Sequence, residues 1–210
     1  MKQKVIEMIL KMDLKSIETQ LVLQCAPFLA GLKVSNLLAI PADMENNAMD
    51  MLKKAGISFF RMIKTDKKVV ILLFQKKQLE SYLYRKDVKE ILISEGYVKL
   101  QIGYVLYMFS TRYQDYICGK GRFPHEIGLI LGYPAEDVRG FIDNNGRNFL
   151  YTGYWKVYKD VDNKVKLFEK FKIAEELLIQ LFSSGMDMEC IIKECSTGKM
   201  WGRYCALPYK

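Results

Sequence analysis

The chain of 210 residues contains a single histidine, His125. An imidazole titrates near neutral pH and suits a general base, provided a carboxylate fixes its tautomer. Glu126 is adjacent in sequence and would point elsewhere on a helix, which makes it a poor orienting partner. The thiols available to pair with His125 as nucleophiles are Cys25 and Cys118, because a thiolate needs contact in space rather than in sequence. Cys25 precedes Ala26 and Pro27 at an apparent helix end, whereas reactive thiols favour helix N-termini or cationic neighbours. A buried structural thiol is the plainer reading, and a thiol-dependent enzyme built on Cys25 and His125 stands as the alternative.

A second group of residues is aromatic. Tyr151, Tyr154, Trp155 and Tyr158 surround Lys156, a combination able to stack a planar ligand and hold its anionic group. If residues 147–158 form a strand, Trp155 and Val157 face the core while Tyr154, Lys156 and Tyr158 face out. The preferred functional reading is a pocket between this strand and residues 123–141. The ligand-binding candidates are then His125, Glu126, Arg139, Tyr154, Trp155 and Lys156, with Cys25 as the possible reactive thiol.

Other chemistries find less support. One histidine and no CxxC leave no ligand pairs for a structural zinc site, so no metal site is expected. No GxGxxG or GK[ST] loop specifies a nucleotide cofactor, and the cofactor is left unknown. The net charge of +8 raises the question of nucleic acid. Residues 123–141 would also suit a helix-turn-helix, with Gly132 at the turn. Its reading helix, however, would present Ala135, Glu136 and Asp137 to a phosphate-lined groove, with Arg139 the one suitable side chain. Nucleic acid is therefore an unfavoured partner, and a helix-turn-helix regulator a secondary reading. The basic residues of 147–172 mostly fall on the solvent face of one amphipathic helix.

These groups must be positioned by a mixed fold. The composition, 50% hydrophobic and 27% charged, is that of a globular protein, and a chain of this length buries about 70% of its unfolded surface. No stretch approaches the roughly 20 apolar residues of a membrane span. The N-terminus interrupts its apolar residues with charges, unlike a secretory signal. The five scattered cysteines suit reduced thiols, which points to the cytoplasm.

Apolar spacing predicts helix over the first thirty residues, kinked or ended at Pro27 and stopped at Gly31. A strand over 33–40 and a helix over 44–54 follow. Residues 57–63 and 69–74 form a hairpin around TDKK. One surface helix is predicted over 76–93, another over 98–113, and a long amphipathic helix over 161–182. In the block 123–141, Pro124 opens a helix that ends at Gly132, and Pro134 opens a second. The expected architecture is α+β: a small mixed or antiparallel sheet of about four strands, flanked by helices, with a central helical hairpin. Residues 1–185 make one domain and residues 186–210 a peripheral tail.

CAPFLAGLK at residues 25–33, FPHEIGLILGYPAEDVRGF at 123–141 and GYWKVYKD at 153–160 together resemble the marks of a bacterial domain family of unknown function, with members mainly in anaerobic Gram-positive bacteria. The resemblance implies no activity. The sequence thus points to a non-enzymatic binding or accessory protein, whose partner is a small molecule or another protein.

Overall fold

The computed structural model describes residues 3–196. The first helical segment is two helices, α1 (Gln3–Leu10) and α2 (Ile17–Leu29). Ser16 caps α2 by accepting the Thr19 N–H at 3.1 Å, which satisfies one of the unpaired N–H groups of the first turn. Pro27 lies inside the last turn. The helix closes when the Leu32 N–H returns to Pro27 O and the Gly31 N–H to Phe28 O, both at 2.9 Å. This closure needs the left-handed backbone of Gly31, φ +72°.

Three strands, β1 (Ser35–Pro41), β2 (Ser58–Lys64) and β3 (Lys68–Phe74), make an antiparallel sheet in the order β1-β3-β2. The helix α3 (Glu45–Lys54) links β1 to β2. The central strand is buried on both faces, which explains its unbroken apolar run. Val69, Ile71 and Leu73 point into one core, while Val70, Leu72 and Phe74 point into another. An irregularity in β2 between Arg61 and Ile63 leaves the Met62 carbonyl to accept from Gln114 Nε2 at 3.2 Å.

The second core is closed by helices α4 (Lys76–Leu83), α5 (Lys86–Ser94), α6 (Ile102–Ile117), α7 (Ile127–Ile130) and α8 (Ala135–Asp143). The single helix expected over 76–93 is broken at Tyr84–Arg85. At 100° per residue, Leu79 and Val88 would face opposite sides of an unbroken helix. The break lets both enter the same core.

After α8 come the two-residue strands β4 (Tyr151–Thr152) and β5 (Lys156–Val157), paired antiparallel, then the long helix α9 (Val161–Ser183) and α10 (Met188–Ser196). The strand expected over 147–158 is therefore a loop and a tight hairpin. Left-handed Asn145, Gly146 and Asn148 and the turn through Gly153 bend a segment whose aromatic content alone favours extension. The last helix is not peripheral: Met188, Ile191 and Cys195 are buried in the first core beside α2 and α9. The remainder of the expected tail, residues 197–210, lies outside the described residues. The architecture is the expected α+β one, with antiparallel sheets of three and two strands.

Candidate functional site

The 123–141 block enters at Phe123 and tightens at once. The N–H groups of Ile127, Gly128 and Leu129 bond three residues back, to Pro124, His125 and Glu126, so the expected helix from Pro124 is reduced to the single turn of α7. It closes as α2 does, with the Tyr133 N–H on Gly128 O at 2.8 Å and the Gly132 N–H on Leu129 O at 3.0 Å. Gly132 is required twice: its φ is +71°, and an added Cβ would lie 2.4 Å from Val34 Cγ2. Pro134 then precedes α8.

Asp137 is the fastener of the site. It is 2% exposed, and its Oδ2 accepts from Trp155 Nε1 at 2.8 Å. Its Oδ1 accepts the backbone N–H of Tyr158 at 2.8 Å and of Lys159 at 3.3 Å. One carboxylate in the first turn of α8 thus anchors both the indole and the strand exit of the β4–β5 hairpin. Next to it, Glu136 accepts from the buried Lys164 of α9 at 2.8 Å. Burial works to raise the Glu136 pKa, but the ammonium and a backbone donor together hold it below the usual carboxylate range. Gly140 lets α8 meet Tyr158, where a Cβ would approach the ring carbon Cγ to 2.4 Å.

Between the block and the hairpin lies a cavity of about 300 Å³. Phe123, Phe141, Tyr133, Tyr154 and Trp155 supply aromatic walls, Ile127, Gly128 and Val138 the apolar floor. Tyr133 stacks on Trp155 at 4.6 Å between centroids, and Trp155 meets Phe168 of α9 edge-on at 4.5 Å. His125 lies between the rings of Phe123 and Phe141, at 5.5 and 5.3 Å. Its Nδ1 is buried with no hydrogen-bond partner among the described residues, a condition that buried polar atoms rarely tolerate. Lys156 Nζ donates to Gly146 O at 2.7 Å and sits over the Phe141 and Phe149 rings at 5.6 and 5.0 Å. A larger hollow of about 1250 Å³, near α2, α3 and α10, is lined instead by mixed charges, among them Lys15, Glu18, Asp50, Lys54 and Asp187.

A polar cluster supports the back of these walls. The Tyr154 hydroxyl donates to Glu175 Oε1 at 2.8 Å, and burial pushes the Glu175 carboxyl up. Lys33 lies over the Tyr133 ring at 5.6 Å and donates to Asn36 Oδ1 at 2.6 Å. Burial pulls its ammonium down to about 8, against the opposing influence of Cys25 and Glu175.

Of the sequence candidates, His125, Tyr154, Trp155 and Lys156 meet around the cavity. Glu126 does not. It is 1% exposed and turned inward, accepting from Arg112 Nη1 at 2.9 Å and the Tyr97 hydroxyl at 3.0 Å, because the tight turn at 124–127 rotates it away from its neighbour. Arg139 is on the exposed side of α8 and is not a cavity residue. Cys25 is fully buried in the first core, its Sγ accepting from Asn36 Nδ2 at 3.4 Å. Burial pushes this thiol up to about 12, outweighing Asn36 and Lys33, the reverse of what a nucleophilic thiol requires. The face expected to read DNA is covered: Ala135 and Asp137 are buried, and Glu136 is held by Lys164. Among the described residues no three His, Cys, Asp or Glu side chains converge as metal donors, and no helix is long and apolar enough to cross a membrane.

Sequence reasoning missed Asp137, Lys33 and Glu175. An Asp in a first helical turn reads as a solvated partner of the helix dipole. Its only distinguishing signal was its place in the 123–141 motif, just as Lys33 closes the CAPFLAGLK motif.

Comparison with curated proteins and with solved structures finds no match. The sequence-family comparison does: residues 21–192, which include all three motifs and every wall of the cavity, match the family described as "Protein of unknown function (DUF3793)", and the chain belongs to that family.

Proposed function

We propose that this protein binds a small aromatic molecule in the cavity between the 123–141 block and the β4–β5 hairpin, without catalysing a reaction on it. The observation that carries this reading is the cavity itself: about 300 Å³, walled by five aromatic side chains from two separate motifs, at the lower end of the size range of ligand pockets. An imidazole nitrogen without a partner among the described residues lies in its wall. The buried state of Cys25 disfavours thiol catalysis, and the four free cysteines of the described residues suit a reducing cytoplasm.

The test is isothermal titration of the protein with indole. A saturable heat of binding is expected, and a Val138→Phe substitution that fills the cavity should abolish it. No heat of binding up to millimolar indole refutes the reading. A second reading, a protein partner docked at the cavity mouth, draws on the exposed Phe149, Leu150 and Tyr151 of the adjoining loop and strand. Leu150→Asp would weaken such a partner while leaving the indole titration intact.

A further inference from the structure

We infer that the cavity's ligand is an aromatic acid: one compact planar ring system carrying a single carboxylate, which Lys156 receives. This inference rests on the reading of the cavity as a binding site, and it is an inference about charge. Three chemistries are possible for a ligand in an aromatic box, since ring faces attract cations as readily as they stack on neutral rings. What decides among them is which charged groups in the walls are already satisfied.

Among the described residues only one carboxylate lines the cavity, that of Asp137, and both its oxygens are occupied by Trp155 Nε1 and the Tyr158 and Lys159 amides. It has little capacity left for a ligand ammonium. Lys156 is the converse case. Its ammonium has three donors, one of them on Gly146 O, and no carboxylate lies within ion-pairing distance of it among the described residues. The rings of Phe141 and Phe149 hold it in place while excluding water from one side. A cation held over the ring of the cavity-wall residue Phe141, with no carboxylate beside it among the described residues, matches a carboxylate that reaches out from a ring in the cavity. The aromatic interior matches the ring to which that carboxylate is attached, and the volume restricts the ring to one or two fused cycles with a short arm.

The experiment is isothermal titration of the full-length protein with three probes of one ring and different charge: indole, indole-3-acetate and tryptamine, each in low and in 0.5 M salt. Indole-3-acetate should bind at least tenfold more tightly than indole, and tryptamine more weakly than indole. The advantage of the acetate should shrink in high salt, as expected of a partly exposed ion pair. Lys156→Met keeps the apolar contact of the side chain. It should remove the preference for indole-3-acetate over indole, and a cooperative thermal melt of the variant reports that the protein remains folded. If indole binds but the acetate shows no advantage, or tryptamine binds most tightly, the charge assignment is overturned and the cavity reading survives. If the preference for acetate persists in Lys156→Met, the assignment to Lys156 is overturned. If none of the three binds, the inference and the reading beneath it both fall.

Discussion

Replacing Asp137 with Ala should uncouple the β4–β5 hairpin from α8. The carboxylate takes donors from Trp155 Nε1 and the Tyr158 amide at 2.8 Å and from the Lys159 amide at 3.3 Å. An unsatisfied buried donor costs about 1–3 kcal/mol. Lys159 is exposed, so water can replace its long bond. Trp155 and Tyr158 are both partly buried, and a hydrogen bond to a charged acceptor contributes about 1.5 kcal/mol net of desolvation at the low end, so losing both costs about 3 kcal/mol. With a urea dependence of about 2 kcal/mol per M, the midpoint should fall by about 1.5 M. Unfolding followed by both circular dichroism and tryptophan emission measures it. Trp155→Phe keeps a ring against Tyr133 and Phe168 but deletes the N–H. A double-mutant cycle with Asp137→Ala should therefore give a coupling of about 1–2 kcal/mol. A loss below about 1 kcal/mol, or a coupling of zero, would refute the view that this carboxylate holds the site together.

Three further outcomes follow from the same geometry. Gly140→Ala gains about 1 kcal/mol of helix propensity but drives a Cβ to 2.4 Å from Tyr158 Cγ; overpacking of about 3 kcal/mol should win, for a net loss of about 2 kcal/mol in a thermal melt, and a stabilised variant would contradict the contact. Stability should depend on alkaline pH with two opposing signs. Lys33 is lowered from 10.5 to about 8, so the unfolded chain binds more protons above pH 8 and stability rises. Cys25 and Cys195 are raised from 9.0 to about 12, so their contribution is full below pH 9 and is lost as pH climbs toward 12. A maximum near pH 9 in urea midpoints, with the rise between pH 8 and 9 absent in Lys33→Met, is the expected profile. Finally, Cys25 should resist a maleimide reagent that modifies the exposed Cys118 and Cys190 within minutes, and should react only when the protein is unfolded; peptide mapping of the labelled protein reads both.

The parts of this fold legible in the sequence were those with strong local periodicity. The hairpin around TDKK and the amphipathic helix from Val161 are found where apolar spacing places them. The break at Tyr84–Arg85 was hidden because either half of 76–93 reads as helix; only the common core of Leu79 and Val88 demands the bend. The β4–β5 hairpin was hidden for another reason. Its aromatic residues favour a strand, while the left-handed Asn145 and Asn148 that prevent one are asparagines rather than glycines. At the site, chemistry was legible by residue type and side was not. Neighbours His125 and Glu126 separate to a cavity wall and a buried ion pair, a difference set by one tight turn. The inward turn of Asp137 depends on partners 18 to 22 residues away, beyond the reach of local pattern.

Those short separations also bear on how the molecule assembles. The cavity walls all fall within residues 123–156, and the Asp137 bonds close loops of about twenty residues. By contrast, the Ser35 hydroxyl that ties β1 to the Ile130 carbonyl spans 95 residues. Closing the longer loop costs about 1.4 kcal/mol more chain entropy. The walls around His125 and Trp155 are therefore expected to condense among the earlier events of folding, with the sheet docking afterwards. Substitutions at Asp137 should then slow refolding, while Ser35→Ala should chiefly speed unfolding.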